Sequence, residues 1–348
     1  MAHRLLAAWR GGAERVLMPM QTRDEGFQPA MFAWATLGPA LEGRSFEGEL
    51  HASETATCLV ADGQHGMLVV AWSDQLNTSE RIELPLGTER VTVESMDGRS
   101  WSVASSDGVH ALDLTSTPII VRDADPSVVQ LASSMTFEPS SVESRRGPQR
   151  LRFVIENPFD ETVDGEIELL APEGWSFEPT RASLHMLAKG HAYVETVVRW
   201  GQIPTLGMHA IPVRLKIGGA QLVDARVNVP LSVVSPGLDI EADWALAKAA
   251  ASGRSVVVVT MAVTNRGAVA VDLEATAVAW RVGRERVVIS NLQSGERAVR
   301  RIQFNVDLKR LMGHDIRLSV HEVYGSAAVA ISIPVVATTG QAVVVVEE

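Results

Sequence analysis

Residues 151–158 (LRFVIENP) decide the fold of this chain, because they carry an apolar side chain at every second position and end in a turn-forming Asn-Pro pair. Leu151, Phe153 and Ile155 would share one face of a β-strand, since successive side chains point to opposite sides of a sheet. The same period of two governs the chain from about residue 47 onward, with turn sequences at intervals of roughly ten residues. Asp97-Gly98 is one such turn and predicts a short hairpin loop. This pattern predicts a mainly β protein.

A second stretch, residues 257–264 (VVVTMAVT), has a similar apolar character and also ends at an asparagine. Three pairs of landmarks then recur at separations of 108, 105 and 106 residues: Asn157 and Asn265, Gly190 and Gly295, Gly207 and Gly313. A near-constant separation of about one sandwich length predicts a tandem repeat of one domain type. The run 245–251 (ALAKAAA) is the weakest point of this prediction, because alanine favours helix.

The beginning of the chain has a different pattern. Leu5, Leu6, Trp9 and residues 31–41 recur at helical spacing, and residues 15–20 (RVLMPM) form a short apolar run between them. The predicted fold class is therefore mainly β, with tandem immunoglobulin-like β-sandwiches and a short N-terminal α/β segment. We expect helix to be confined to about residues 1–45. The predicted domains are an α/β segment at 1–46, a β-sandwich at 47–130, and two immunoglobulin-like domains at 131–235 and 236–348.

Composition narrows the range of partners. The chain has 348 residues and a net charge of −11 that is spread along its length, which argues against nucleic acid as a partner. Cys58 is the only cysteine, so an intrachain disulfide is impossible and a buried, inert thiol is expected. Apolar runs are too short for a membrane span. Residues 1–10 (MAHRLLAAWR) lack the apolar core and cleavage site of a signal peptide, and localisation stays undetermined.

No strong catalytic or cofactor signature is present. The sequence lacks a glycine-rich phosphate loop, a nucleophile elbow and a calcium loop, and its nine histidines are scattered singly. We therefore predict no catalytic residues, no cofactor and no metal site. The aromatic residues Trp72, Trp101, Trp175, Trp200 and Trp280 are expected to pack in the core or at strand edges rather than against a sugar ring.

Residues 157–158 (NP), 165–170 (GEIELL) and 172–175 (PEGW) resemble the immunoglobulin-like accessory domain attached to bacterial α-galactosidases and other carbohydrate-active enzymes. The resemblance covers about residues 135–235. Residues 236–340 resemble a degenerate copy that lacks the Gly-Trp turn. Such a domain implies a polysaccharide or glycan as a partner.

The front of the chain resembles the end of a (β/α)8 glycoside hydrolase with its trailing β domain. Residues 7–16 (AAWRGGAERV) match the entry to the last barrel strand, residues 29–41 the closing helix, and residues 69–73 (VVAWS) a strand of the trailing domain. Pro19 within the predicted strand, and Met20 where such enzymes often carry an aromatic residue, depart from this pattern.

This resemblance implies that both catalytic carboxylates lie upstream of this chain. The chain would supply only residues at the rim of the substrate cleft, namely Gln21, Asp24 and Glu25. A segment cut from a barrel would also leave the apolar side chains of Trp9, Phe32 and Trp34 exposed.

The favoured hypothesis is a non-catalytic C-terminal accessory region of a carbohydrate-active enzyme, which positions an upstream catalytic domain or contacts polysaccharide. We expect no activity from this chain alone. The main alternative is a structural or adhesive protein of several sandwiches with no enzymatic role. A complete small enzyme with an unrecognised site is the third possibility.

Overall fold

The structure is a computed structural model that describes residues 2–12, 29–75, 78–218, 223–249, 255–305, 310–336 and 344–346. Strands dominate this part of the chain, as predicted, and they form three successive β units. The first unit is built on residues 2–133, the second on 136–234 and the third on 238–346.

The first unit contains a six-stranded antiparallel sheet in the order β1-β2-β3-β8-β5-β6 and a separate pair, β4-β7. Its elements are α1 (Ala2–Arg10), α2 (Pro29–Leu41), β1 (Arg44–Glu49), β2 (Ala56–Gly63), β3 (Leu68–Ser73), β4 (Glu80–Leu84), β5 (Arg90–Ser95), β6 (Ser100–Ala104), β7 (His110–Leu114), β8 (Ile119–Arg122) and α3 (Pro126–Ser133). The hairpin predicted at Asp97-Gly98 joins β5 to β6, and Gly98 has the positive φ that this turn requires.

Both faces of the six-stranded sheet are covered, so every residue of β3 is buried. Leu5, Leu6, Leu37 and Leu41 of the two N-terminal helices pack on one face, against residues such as Leu68. The expectation of exposed apolar faces in this segment is wrong for its described side chains. Trp9 is half-buried and meets the ring of Phe46 edge-on at 6.0 Å. The side chains of Phe32 and Trp34, and the predicted strand at residues 15–20, lie outside the described residues.

Helix α3 lies outside the region in which helix was expected. Asp125 caps its N-terminus, because the Oδ1 atom accepts hydrogen bonds from the backbone amides of Ser127 and Val128. Pro126 occupies the first turn, where its missing amide hydrogen costs nothing. The buried side chains of α3 belong to one apolar core that runs without a break from the first unit into the second.

The second unit is a sandwich of two sheets, β10-β17-β16-β12-β14 and β13-β15-β11-β9. Its strands are β9 (Thr136–Glu138), β10 (Ser141–Glu143), β11 (Gln149–Glu156), β12 (Val163–Leu169), β13 (Trp175–Glu178), β14 (Arg181–Met186), β15 (His191–Trp200), β16 (Gly207–Gly218) and β17 (Val223–Val234).

The third unit is a sandwich with its own core and two sheets, β25-β18-β19-β22 and β21-β20-β23-β24. Its strands are β18 (Leu238–Ala249), β19 (Ser255–Asn265), β20 (Val271–Ala279), β21 (Gly283–Leu292), β22 (Arg297–Phe304), β23 (Asp315–Glu322), β24 (Ala328–Pro334) and β25 (Val344–Val346). The alanine-rich run is strand as far as Ala249, and Trp244 and Leu246 on its inner face pack on the core.

The two sandwiches share their strand order. Strands β11, β12, β14, β15, β16 and β17 correspond to β19, β20, β21, β22, β23 and β24, and equivalent strands have equivalent neighbours. This agreement supports the predicted tandem repeat.

A buried asparagine closes the same corner in both sandwiches. Asn157 donates through Nδ2 to the carbonyl oxygens of Glu161 and Leu187, each at 2.8 Å, and to that of Met186 at 3.3 Å. Its Oδ1 atom accepts from the amide of Phe159. The asparagine thus satisfies backbone groups that the turn would otherwise leave buried and unpaired.

Asn265 repeats this arrangement. Its Nδ2 atom donates to the carbonyl oxygens of Val269 (2.7 Å) and Leu292 (3.0 Å), and its Oδ1 atom accepts from the amide of Gly267. The sequence signal at both asparagines therefore reflects a structural role.

The predicted equivalence of Gly190 and Gly295 is wrong by one residue. In the second sandwich the positive φ belongs to Lys189 and not to Gly190, and in the third sandwich it belongs to Gly295. Hydrogen bonds from Gly190 to Leu187 and from Glu296 to Gln293 close the two turns equivalently. Lys189 therefore corresponds to Gly295, because backbone geometry and not glycine identity defines the turn.

Candidate functional site

The predicted cleft-rim residues Gln21, Asp24 and Glu25 lie outside the described residues, so their placement stays a prediction. Among the described residues, a groove lies between the first and second units. It consists of two cavities of about 700 and 440 Å³ that share Asp224 and Ala225, at the start of β17.

A close backbone contact holds one wall of this groove in place. The turn between β6 and β7 reaches across to β17, and a Cβ atom on Gly108 would lie 2.4 Å from the carbonyl oxygen of Asp224. Gly108 also has a φ of +78°, so both its conformation and its surroundings require glycine. A bridge between His51 and Asn228 joins the same two units.

Charged side chains from separate elements line the groove. Six of them form no hydrogen bond or ion pair with any other described residue: Arg81, Glu83, Glu89, Arg90, Asp107 and Arg226. Asp224 is different, because it pairs with Arg214 at 3.3 Å and with Lys216 at 3.6 Å. Within the described part of the chain, the groove therefore presents three guanidinium groups and three carboxylates without a partner.

The tryptophans divide into packed and exposed groups. Trp72 is buried and donates to Asp74 at 2.9 Å. Trp175 and Trp200 meet edge-on at 5.3 Å and pack on the core of the second unit. For these three residues the predicted packing role is confirmed.

Trp101 and Trp280 are 45% and 52% exposed, so neither lies in the core. The ring of Trp280 has the guanidinium carbon of Arg281 at 5.3 Å and the ring of His314 at 5.6 Å. The ring of Trp101, on the edge strand β6, has no such partner among the described residues. Among the tryptophans whose side chains the structure describes, Trp101 therefore has a free aromatic face.

A partly buried charged cluster lies on the third unit, close enough to the second for Arg146 to influence it. Glu274 on β20 pairs with Arg286 at 2.5 Å and lies 3.8 Å from the imidazole of His321 on β23. The pKa of His321 lies below its ordinary value of 6.5, chiefly because burial disfavours the charged ring. Arg146 lowers this pKa further, whereas Glu274 opposes the shift. The pairing of Glu274 with Arg286 indicates a structural role.

Two further titratable groups are buried in the first unit. Cys58 is buried in the first unit, and burial raises the pKa of its thiol well above the usual range, which confirms the expected inert character. His110 is fully buried, and burial lowers its pKa.

Within the described ranges, no group of three or more His, Cys, Asp or Glu residues is arranged to hold a metal ion. None of the described helices has the length and apolar character to cross a membrane.

Sequence reasoning missed the groove because its residues come from β4, β5, the β6–β7 turn and β17, which are far apart in the chain. The one local signal is Asp107-Gly108, a turn pair like Asp97-Gly98. That pair predicts a tight turn and says nothing about what the turn contacts.

No family model and no curated protein matches this chain. Solved structures give weak similarities. A protein of unknown function from Porphyromonas gingivalis W83 is 14% identical over 57% of this chain and 96% of its own length, with a TM-score of 0.23. The E. coli chaperone DraB is 12% identical over 58% of this chain and 98% of its own, with a TM-score of 0.22.

The native conformation of E. coli alpha-2-macroglobulin is 11% identical over 88% of this chain and 24% of its own length, with a TM-score of 0.28. At these TM-scores the similarities identify neither a family nor a function for this chain.

Proposed function

We propose that this chain is a non-catalytic accessory region of a carbohydrate-active enzyme, with a polysaccharide as its ligand and a catalytic domain as its upstream partner. The observation that carries the proposal is the free face of Trp101. A half-exposed indole on an edge strand offers an apolar, flat surface of the kind that stacks on the apolar face of a sugar ring.

The N-terminal helices support the part of the proposal that concerns the upstream domain. Helix α2 (PAMFAWATLGPAL) has no charged residue on any side, and such helices are typically buried all round. Leu37, Ala40 and Leu41 cover the six-stranded sheet. Ala35 and Pro39 of the same helix are exposed and suit a second contact with a catalytic domain.

A structural or adhesive role is the second candidate, and the joints between the units favour it. Backbone hydrogen bonds join the second unit to the third, from the amide of Arg146 to Ser326 (2.9 Å) and from that of Ala328 to Ser144 (3.0 Å). Joints held by backbone pairing suit a stiff spacer. The two candidates differ in whether the chain binds a glycan.

Affinity electrophoresis in gels that contain cellulose derivatives, mannan, galactan or xylan tests the proposal. We expect retardation of the chain by at least one polysaccharide, and no release of sugar from that polysaccharide or from aryl-glycosides. Trp101→Ala should reduce the retardation, while Trp280→Ala is the matched control because Arg281 and His314 contact that ring. Sugar release, or normal mobility in every gel, would refute the proposal.

A further inference from the structure

We propose that the groove between the first and second units is the binding site for a neutral oligosaccharide. This inference rests on the proposed function and goes beyond it, since it names the site and the class of glycan.

The chemistry of the groove suits hydroxyl groups. A guanidinium group only donates hydrogen bonds and an ionised carboxylate only accepts them, whereas a sugar hydroxyl does both. Arg81 and Glu83 lie two residues apart on β4 and face the groove together, and neither has a partner among the described residues. A ring hydroxyl between two such groups can accept from one and donate to the other.

The balance of charge argues for a neutral ligand. Arg81, Arg90 and Arg226 are matched by an equal number of free carboxylates, so the groove has no excess of positive charge. An acidic polysaccharide or a nucleic acid would need such an excess.

The groove also has the volume and the apolar lining that a sugar-binding site requires. Its cavities of about 440 and 700 Å³ fall within the usual range of about 300–1,000 Å³ for ligand sites. Val109, Ala111 and Leu170 contribute apolar surface to the smaller cavity, against which the C–H face of a sugar can pack. The contact of Gly108 with Asp224 fixes the wall before any ligand arrives, which reduces the entropy lost on binding.

Isothermal titration calorimetry with defined hexasaccharides provides the test. The probes are cellohexaose, mannohexaose, galactohexaose and xylohexaose as neutral chains, and hexagalacturonate as the acidic chain, each at low and high sodium chloride. We expect one neutral hexasaccharide to bind with a Kd that changes less than about twofold with salt, because no net charge is neutralised.

Arg226→Ala and Glu83→Gln should each weaken this binding roughly tenfold, the effect of one hydrogen bond to a charged group. Arg150→Ala is the matched control, since Arg150 is also exposed and has no side-chain partner among the described residues, but lies on β11, outside the groove. All three substitutions replace exposed side chains, and circular dichroism verifies that the variants fold.

The possible failures are distinguishable. If neutral chains bind, but Trp101→Ala abolishes binding while both groove variants retain it, the groove inference is overturned and the proposed function stands. Binding of hexagalacturonate alone, with steep salt dependence, would overturn the inference of a neutral ligand. If no saccharide binds, the proposed function fails together with the inference.

Discussion

The second and third sandwiches carry a similar pair of charges on equivalent sheets but place it in opposite environments. In the second sandwich, Glu166 on β12 lies opposite Lys216 on β16, and Lys216 is exposed to solvent. In the third, Glu274 on β20 lies opposite His321 on β23, and both side chains are largely buried. The strand order is the same, so the difference arises from what covers each face.

The backbone of the second unit pairs with the edge of this sheet. Thr205 bridges to Ala330 on β24, the edge strand of that sheet, and the amide of Leu206 donates to the carbonyl oxygen of Ala330 at 3.0 Å. A free strand edge invites pairing with other chains, and this joint occupies it internally. The comparison shows that the same sheet can face solvent in one sandwich and form a contact between units in the next.

The largest effect is expected at the corner that the two sandwiches share. Asn157→Ala should destabilise the second sandwich by about 3 kcal/mol, because several buried backbone groups lose their partner. Asn265→Ala should have a similar effect on the third sandwich. Hydrogen exchange measured by mass spectrometry resolves the two units. If either substitution leaves its own unit fully protected, the two corners are not equivalent.

A smaller effect is expected where the sandwiches differ. Glu274→Gln removes the charge that pairs with Arg286 and lies beside His321, and it should cost about 1.5 kcal/mol in the third sandwich, because the Glu274 side chain is largely shielded from solvent. Glu166→Gln is the control on the exposed face of the second sandwich, where Glu166 lies opposite Lys216, and it should change the stability of that sandwich much less. Equal costs in chemical denaturation would contradict the contrast in burial.

The turns at Lys189 and Gly295 offer a further test of whether the two sandwiches are equivalent. Gly295→Ala should cost about 1 kcal/mol, since φ is +77° and the added Cβ atom meets nothing within 4 Å. Gly295→Lys copies the residue found at the same place in the second sandwich and should cost a similar amount. A neutral or stabilising result for both variants in thermal melts would show that the two turns differ.

The smallest effect concerns pH. Folded His321 stays neutral at pH values where the unfolded chain takes up a proton, because burial lowers its pKa. The third sandwich should therefore be most stable above pH 6.5 and lose stability as the pH falls below that value. His321→Gln should remove this part of the pH dependence, as followed by hydrogen exchange of β20 and β23. An unchanged pH profile in the variant would assign the dependence to another group.

Much of the β architecture could be predicted from the sequence because a period of two requires one buried and one open face. The alternation of Trp244 and Leu246 outweighed the helix propensity of the neighbouring alanines. Alignment by residue identity misplaced the turn at Gly190, since Lys189 accepts the positive φ there. The cap at Asp125 was visible in the sequence, but a helix of eight residues gives little periodicity.

The groove could not be predicted in the same way. Arg81, Asp107 and Arg226 come together only after two units have packed against each other. The exposure of Trp101 likewise depends on β6 being the edge of its sheet, which follows from the strand order and not from the local sequence.

The single cysteine of the chain can report on the opening of the core that surrounds it. Cys58 is almost completely shielded, inside an apolar core that the first unit shares with the second. A thiol reagent can reach Cys58 only when that core opens. The labelling rate in native buffer therefore depends on how often the core opens. Because the third sandwich has a separate core, its unfolding alone should leave the label rate unchanged. The labelling rate of Cys58 therefore measures how often the core shared by the first and second units opens, and no probe has to be introduced.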